Sequence, residues 1–366
     1  MGSSRRKPVY ILLYGCLMHR KGKSTTTQLL RLTCIFATVQ AFGCVSKDSG
    51  VVPDAGEVSS RPDAADNTPV GAHHQFVVDQ FTVPSDQTEA QALALDLDGT
   101  GGGDNKLGEI LSVLGDIGGE DIQANVNAQV ARGEMLILAN LQATALDSAE
   151  ATGLWVFRGE VISPSPCLDD DDTVCAQHLD GGGTFASAGA TDSSLIYGDI
   201  YGGVLTGGPG RVTLDIPLVI VPQPLTMNLV GVRVSVEVAN SGLTNGRLGG
   251  AVTVDEINDN ILPQLVVVMQ NTVQQSCNGV HPNCCTPGSQ GEDLIGTFDS
   301  DGSCDITLDE LKDNALLSGL LSPDLDLFDA EGFYVPNDDG VKDSLSLGVG
   351  FSATLGAFAL PPGIGP

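Results

Sequence analysis

Between Phe298 and Leu311 the chain reads Asp299, Ser300, Asp301, Gly302, Ser303, Cys304, Asp305, Ile306, Thr307, Leu308, Asp309, Glu310. Oxygen-bearing side chains stand at alternate positions and a glutamate closes the run. Calcium needs six to eight hard oxygens at about 2.3 to 2.6 Å, and a loop that curls round the ion can supply them. The candidate ligands are Asp299, Asp301, Ser303, the main-chain carbonyl of Asp305, Thr307 directly or through water, and both carboxylate oxygens of Glu310.

This order resembles an EF-hand loop. Ile306 falls at the eighth position, where such loops carry an apolar residue, and Leu294, Ile295 and Phe298 sit where an entering helix presents its apolar face. Leu311 begins the corresponding face of an exiting helix. The departure is at the sixth position, where a sharp turn favours glycine: here it is Cys304, with Gly302 two places earlier. A disulfide from Cys304 to the Cys277, Cys284 and Cys285 group would hold such a turn. The alternative is an Asp-rich surface turn that binds no ion.

A second acidic turn, Asp96, Asp98, Thr100 and Asp104 followed by Asn105, Leu107 and Gly108, looks like the Asp-rich calcium turns of extracellular repeat proteins, with Thr100 replacing the third acid. Asn337, Asp339, Gly340, Asp343 and Ser344 echo it ahead of Leu345, Leu347 and Gly348. The run Asp169 to Asp172 reads as a solvated loop.

Enzyme signatures fail in turn. There is no H-E-x-x-H, no G-x-S-x-G and no G-x-G-x-x-G set between a strand and a helix. Of the five histidines, His19 lies in a targeting segment, His73 and His74 fall on an expected tether, and His178 and His281 stand beside cysteines in expected exposed loops. Paired carboxylates in a cleft remain the one hydrolytic chemistry that such an acidic chain offers.

Of 17 Lys and Arg, seven lie within the first 43 residues, which contain no Asp or Glu, so ten face all 46 acids thereafter. A basic stretch from His19 to Lys23, an apolar stretch from Leu29 to Phe42 and Gly43 before Cys44 read as a secretory signal over residues 1–43, with Met18 as the true start. Ala41-Phe42-Gly43-Cys44 resembles a bacterial lipobox, so Cys44 is the expected acylation site and a membrane anchor. Simple cleavage and secretion, or retention of the segment as an N-terminal anchor, are the other outcomes. Nucleic acid is excluded as a partner, because no cluster of Lys and Arg survives beyond the signal.

Six cysteines remain: Cys167, Cys175, Cys277, Cys284, Cys285 and Cys304. An even set in an exported chain predicts disulfides. Cys167 and Cys175 close a short loop, and the other four leave three pairings open. A metal-thiolate site with His281 is the rival reading, though the spacing lacks the paired C-x2-C of zinc knuckles.

Residues 44–74 carry Ser, Pro, Gly, Asp and Ala without apolar periodicity and read as a disordered tether after the acylated Cys44. Residues 75–366 form a β-rich, calcium-binding domain. Strict alternation appears at Val212 to Ile220, Val232 to Val238 and Leu345 to Ala353. Phe76 to Val83, Met135 to Leu146, Leu154 to Ile162 and Ser194 to Leu205 read as further strands, and Asn240 to Gly246 as a turn. Helices are expected over Leu107 to Arg132 with a break at Gly118 and Gly119, over Asp255 to Val273, and over Leu308 to Leu321. The expected fold is mainly β with some α: an antiparallel sandwich or barrel-like sheet, with two or three packed helices and the EF-hand-like loop.

After the tether, the order of Val77 to Asp79, Leu95 to Gly99, Asp104-Asn105, the Gly-rich strands, the EF-like loop and the Ser344 to Gly350 ending resembles a group of exported lipoproteins from myxobacteria. That resemblance implies export, lipidation and calcium loops, and no activity. The functional expectation is a bacterial membrane-anchored calcium protein at the outer membrane or cell surface, a structural or binding module for a surface partner. The alternatives are a carboxylate-dependent hydrolase and an apolar-ligand carrier.

Overall fold

Alternating apolar residues put one set of side chains on one face of a strand, and strands so patterned bury that face together. A computed structural model describes residues 68–110, 122–168, 175–187, 195–216, 225–361 and 364. The strands are β1 Ala72–Thr82, β2 Ile137–Ala143, β3 Ser148–Ser163, β4 Gly183–Ser187, β5 Leu195–Tyr201, β6 Val204–Ile216, β7 Leu225–Ala239, β8 Gly242–Thr253, β9 Cys277–Val280, β10 Asn283–Cys285 and β11 Ser344–Phe358.

Eight of them close a barrel in the order β1-β2-β3-β5-β6-β7-β8-β11, with β11 paired back onto β1 and every ladder antiparallel. Barrel, not sandwich, is therefore the architecture. β4 bridges β3 and the end of β11, parallel only to β11. Residues paired across a ladder share a face, and those pairs sort the two sides of the wall. Leu154 opposite Ile196, Val212 opposite Leu229 and Leu345 opposite Val252 face the large interior cluster, with Phe76, Leu141, Leu205 and Val349. The outer face carries two smaller clusters. Val77, Leu138, Trp155 and Phe157 are covered by Phe185 of β4 and by Phe358. Val230 and Ala251 are covered by Leu97, Leu325 and Leu327, so the acidic turns ride on the outside of β7, β8 and β11.

Glycine permits this close docking. On the outer face Gly249 pairs with Gly348. A Cβ on Gly249 would lie 3.2 Å from the Leu95 side chain, and one on Gly348 would lie 2.7 Å from the Leu93 carbonyl oxygen.

The helices are α1 Gln87–Leu93, α2 Ile122–Ala131, α3 Leu262–Ser276, α4 Gln290–Phe298, α5 Leu308–Asp313 and α6 Ala315–Leu320. α2 is keyed to β1 by Gln123, which accepts from Val83 N at 2.8 Å and donates to the Phe81 carbonyl at 2.8 Å. A helical turn Val254–Glu256 and a π turn Ile257–Ile261 lead without a break into α3. Pro263 follows directly on the π turn, where the wider spacing of the main-chain bonds accommodates a residue without an N–H.

Several boundaries differ from the sequence reading. β1 begins at Ala72, so His73 and His74 belong to the ladder with β2 and not to a tether. The expected turn Asn240 to Gly246 shrinks to Asn240-Ser241, and Gly242 already starts β8. Ser194 to Leu205 holds a hairpin that turns at Gly202-Gly203, because both take positive φ. The expected helix Leu308 to Leu321 is broken at Asn314, whose side chain caps α6. α1 carries no apolar periodicity; Asp86 caps it by accepting from Glu89 N at 2.8 Å. The expected break at Gly118 and Gly119, the run Asp169 to Asp172 and Cys44 lie outside the described residues.

Candidate metal centre

The loop Asp299 to Glu310 is held between α4 and α5, whose apolar sides meet α3. Ile306 and Leu311 are buried with Val273 and Leu317, against Leu294, Ile295, Phe298 and Met269. The Gln270 side chain donates to the Ile306 carbonyl at 2.6 Å, pinning the loop to α3. Asp299 gathers the curl: its carboxylate accepts from Gly302 N at 2.8 Å, Ser303 N at 3.1 Å and Cys304 N at 2.9 Å. Glu310 closes it, accepting from Ser300 N at 2.7 Å on one oxygen and from Thr307 N at 2.9 Å on the other. Carboxylate oxygens of Asp299, Asp301 and Glu310 all lie within 4.8 Å of one another.

Hydrogen bonds favour the ionised forms of Asp301 and Glu310. The hydroxyl and amide of Ser303 hold the Asp301 carboxyl below its ordinary value. Burial raises Glu310, but hydrogen bonds from Thr307, Ser300 and Asp301 outweigh it and the net displacement is downward. A carboxylate has about four lone-pair sites, so one that accepts backbone N–H groups still offers electrons to a cation.

Cys304 takes the left-handed turn at φ 65°, as the sixth position demands, and is bonded to Cys284. The other disulfides are Cys167–Cys175 and Cys277–Cys285. Cys284 and Cys304 also lie near Asp299, but bonded to each other they offer no thiolate. His281 is exposed and rests on the loop: a Cβ on Gly302 would lie 3.3 Å from its ring.

Of the remaining predicted ligands, Ser303 turns onto Asp301. Thr307 caps α5, accepting from Glu310 N while donating its hydroxyl to Glu310. The Asp305 side chain accepts from Ile306 N at 3.0 Å, and its carboxylate is not one of the converging trio.

The second predicted turn also converges. Carboxylate oxygens of Asp96, Asp98 and Asp104 lie within 4.8 Å of one another. Asp96 accepts from Gly99 N at 2.7 Å, Asp98 from the Thr100 hydroxyl at 2.7 Å, and Asp104 from Leu97 N at 2.8 Å. Burial pushes the Asp104 carboxyl up; the Leu97 hydrogen bond opposes this, while the charges of Asp98, Asp324 and Asp96 add to it. Beneath the turn, buried Asn105 donates to the Ala90 and Gly348 carbonyls, both at 2.9 Å, and accepts from Gly348 N at 2.6 Å and Gly108 N at 3.1 Å.

The third turn meets a partner that sequence reasoning missed. Asp343 accepts from Leu327 N at 3.1 Å and Phe328 N at 2.8 Å, and Asp326 from Gly340 N at 2.6 Å. Asp324 accepts from Ser346 N at 2.8 Å. Asp324-Leu325-Asp326 repeats the pattern of Asp96-Leu97-Asp98, and that is the signal from which it could have been found. Burial pushes Asp343 up, and the Asp326 charge contributes. Asp339 only braces its own turn, accepting from Val341 N at 2.8 Å.

His178, expected on an exposed loop, is buried against Phe185, because the segment after the Cys167–Cys175 loop folds onto the barrel wall. Burial lowers its pKa, with the nearby Val130 main chain opposing, and neither ring nitrogen has a hydrogen-bond partner. No helix among the described residues is long and apolar enough to cross a membrane. Three disulfides fit an extracellular or periplasmic protein. The chain matches no family model, no curated protein and no solved structure.

Proposed function

We propose that the protein is an exported calcium-binding lipoprotein, tethered through an acylated Cys44, whose barrel serves as a non-catalytic structural or binding module at a bacterial surface or in the periplasm. The observation that carries the calcium reading is the convergence of Asp299, Asp301 and Glu310 carboxylates within 4.8 Å on a loop curled by Asp299. Three acids of like charge so close repel one another, and a divalent cation is the partner that reverses the sign of that interaction. Asp96, Asp98 and Asp104 offer a second site of the same chemistry. Extracellular modules of this kind work at Kd values of about 10⁻⁴ to 10⁻³ M, where calcium is abundant.

Anchoring at Cys44 rests on the lipobox-like run before it and on the oxidised cysteines after it. Side chains from every barrel strand fill the interior cluster, so the carrier reading gains no support there.

Calorimetric titration of the full chain with calcium tests the proposal. Heat is expected in the wild type and a reduced heat in Asp299→Ala plus Glu310→Ala. No heat at millimolar calcium in the wild type would sink it. Whole-cell labelling with a lipid precursor, compared with Cys44→Ser, tests the anchor.

A further inference from the structure

Asp326 is 1% exposed, the deepest of the acids on the outer barrel face. Its Oδ2 accepts from Gly340 N, but its Oδ1 is buried without a hydrogen-bond partner. An ionised carboxylate oxygen left dry and unpaired is strongly unfavourable, and that penalty drives buried charges to find a counter-charge or a metal. The charged neighbour it has is another acid, Asp343, itself more than half buried. No Lys, Arg or His forms an ion pair with either among the described residues.

We propose that Asp326 Oδ1 and Asp343 hold a divalent cation, calcium in an exported setting, between the segment Asp324 to Asp329 and the turn Asn337 to Asp343. Main-chain carbonyls and water would complete the six to eight oxygens of the shell. This site is separate from the Asp299 to Glu310 loop and from the Asp96, Asp98 and Asp104 group, and it does not depend on either. Where those are turns that fold on their own ligands, this one clips two stretches of chain together over Leu325 and Leu327, which cover the outer face of β7 and β8. The ion would thereby fasten the C-terminal acidic segment to the barrel.

The test counts calcium bound to the full chain by equilibrium dialysis with radiocalcium, alongside melting with and without a chelator. Asp326→Asn keeps the shape and removes the charge. It is expected to bind one ion fewer than the wild type, and still one fewer in the Asp299→Ala plus Glu310→Ala background, so failure of that loop and failure of this site give different counts. In chelator, Asp326→Asn should melt higher than the wild type, because an unpaired buried charge is gone; in calcium the order should reverse. A merely structural aspartate would not invert. Asp343→Asn is the parallel variant, so a folding defect in one does not decide the result. Equal stoichiometry in folded variants and wild type would overturn the proposal. So would an infrared band of a protonated carboxyl in the unaltered chain that persists at neutral pH with calcium, since the orphan oxygen would then carry a proton.

Discussion

Asn337 donates its side-chain amide to the main-chain carbonyl of Asp98, 239 residues away in sequence. The same residue donates its backbone N–H to the Asp326 carbonyl at 3.0 Å, from a left-handed conformation at φ 61°. One asparagine thus ties the Asp96 turn to the C-terminal acidic segment. Asparagine tolerates that conformation better than most residues, and its amide supplies the second bond.

Replacing Glu310 should separate the capping role from the metal role. In chelator, Glu310→Gln can keep the bonds with Thr307 but turns its NH2 toward Ser300 N and Asp301 N. It should therefore lose part of the stability that Glu310→Ala loses, which is about 1 kcal/mol from the cap. Both should weaken calcium binding, and urea unfolding in chelator with calorimetry in calcium reads the two effects separately.

The Cys284–Cys304 disulfide closes 20 residues, so removing it should cost about 3 kcal/mol. Cys284→Ala with Cys304→Gly should be more stable than Cys284→Ala with Cys304→Ala by about 1 kcal/mol, because glycine relieves the left-handed turn. Urea midpoints of the two double variants decide it.

Asp104 and Asp343 give a pH dependence of definite sign. Both carboxyls are raised in the folded chain, chiefly by burial. Each therefore destabilises the fold in full above its folded pKa, and the penalty is relieved as pH falls through that value toward the unfolded one, about 3.9. In chelator, Asp343→Asn should melt higher than the wild type at neutral pH, and the difference should shrink on acidification through that window. Glu310, whose pKa is lowered, works in the opposite sense: its contribution is present above the ordinary glutamate value and fades as pH falls through the lower folded one. A melting difference between Asp343→Asn and wild type that does not change with pH would contradict this account.

Asn105→Ala removes a buried amide whose donors and acceptor are all used. The stranded carbonyls and N–H groups of Ala90, Gly108 and Gly348 should cost about 3 kcal/mol in chemical denaturation, and the adjoining Asp96 turn should bind calcium more weakly.

Much of this design is legible in the chain itself. Val232 to Val238 and Leu345 to Val349 alternate so regularly that their faces can be assigned by counting, and the Asp299 loop shows its candidate ligands because they are close in sequence. Closure of the barrel is not legible, since alternation decides which face a residue takes and not which strand it meets. β8 hides because four glycines among its twelve residues read as a turn, whereas they serve close packing: Gly249 against Leu95 and Leu97, Gly250 against Leu229 and Val232, and Gly246 against the Phe351 ring. Asp326 hides for a different reason: the repeat Asp324-Leu325-Asp326 marks it as part of a candidate turn, but its burial is made by the fold and not by that local pattern.

The pairing of β11 with β1 sets the order of events in the life of the molecule. Phe81 waits for Phe351, and Phe76 for Leu355, so the ring cannot close until β11 has joined β1. Long-range ladders of this kind form slowly. A truncation before Ser344 would leave β1 and β8 as bare edges, open to other copies of the same chain.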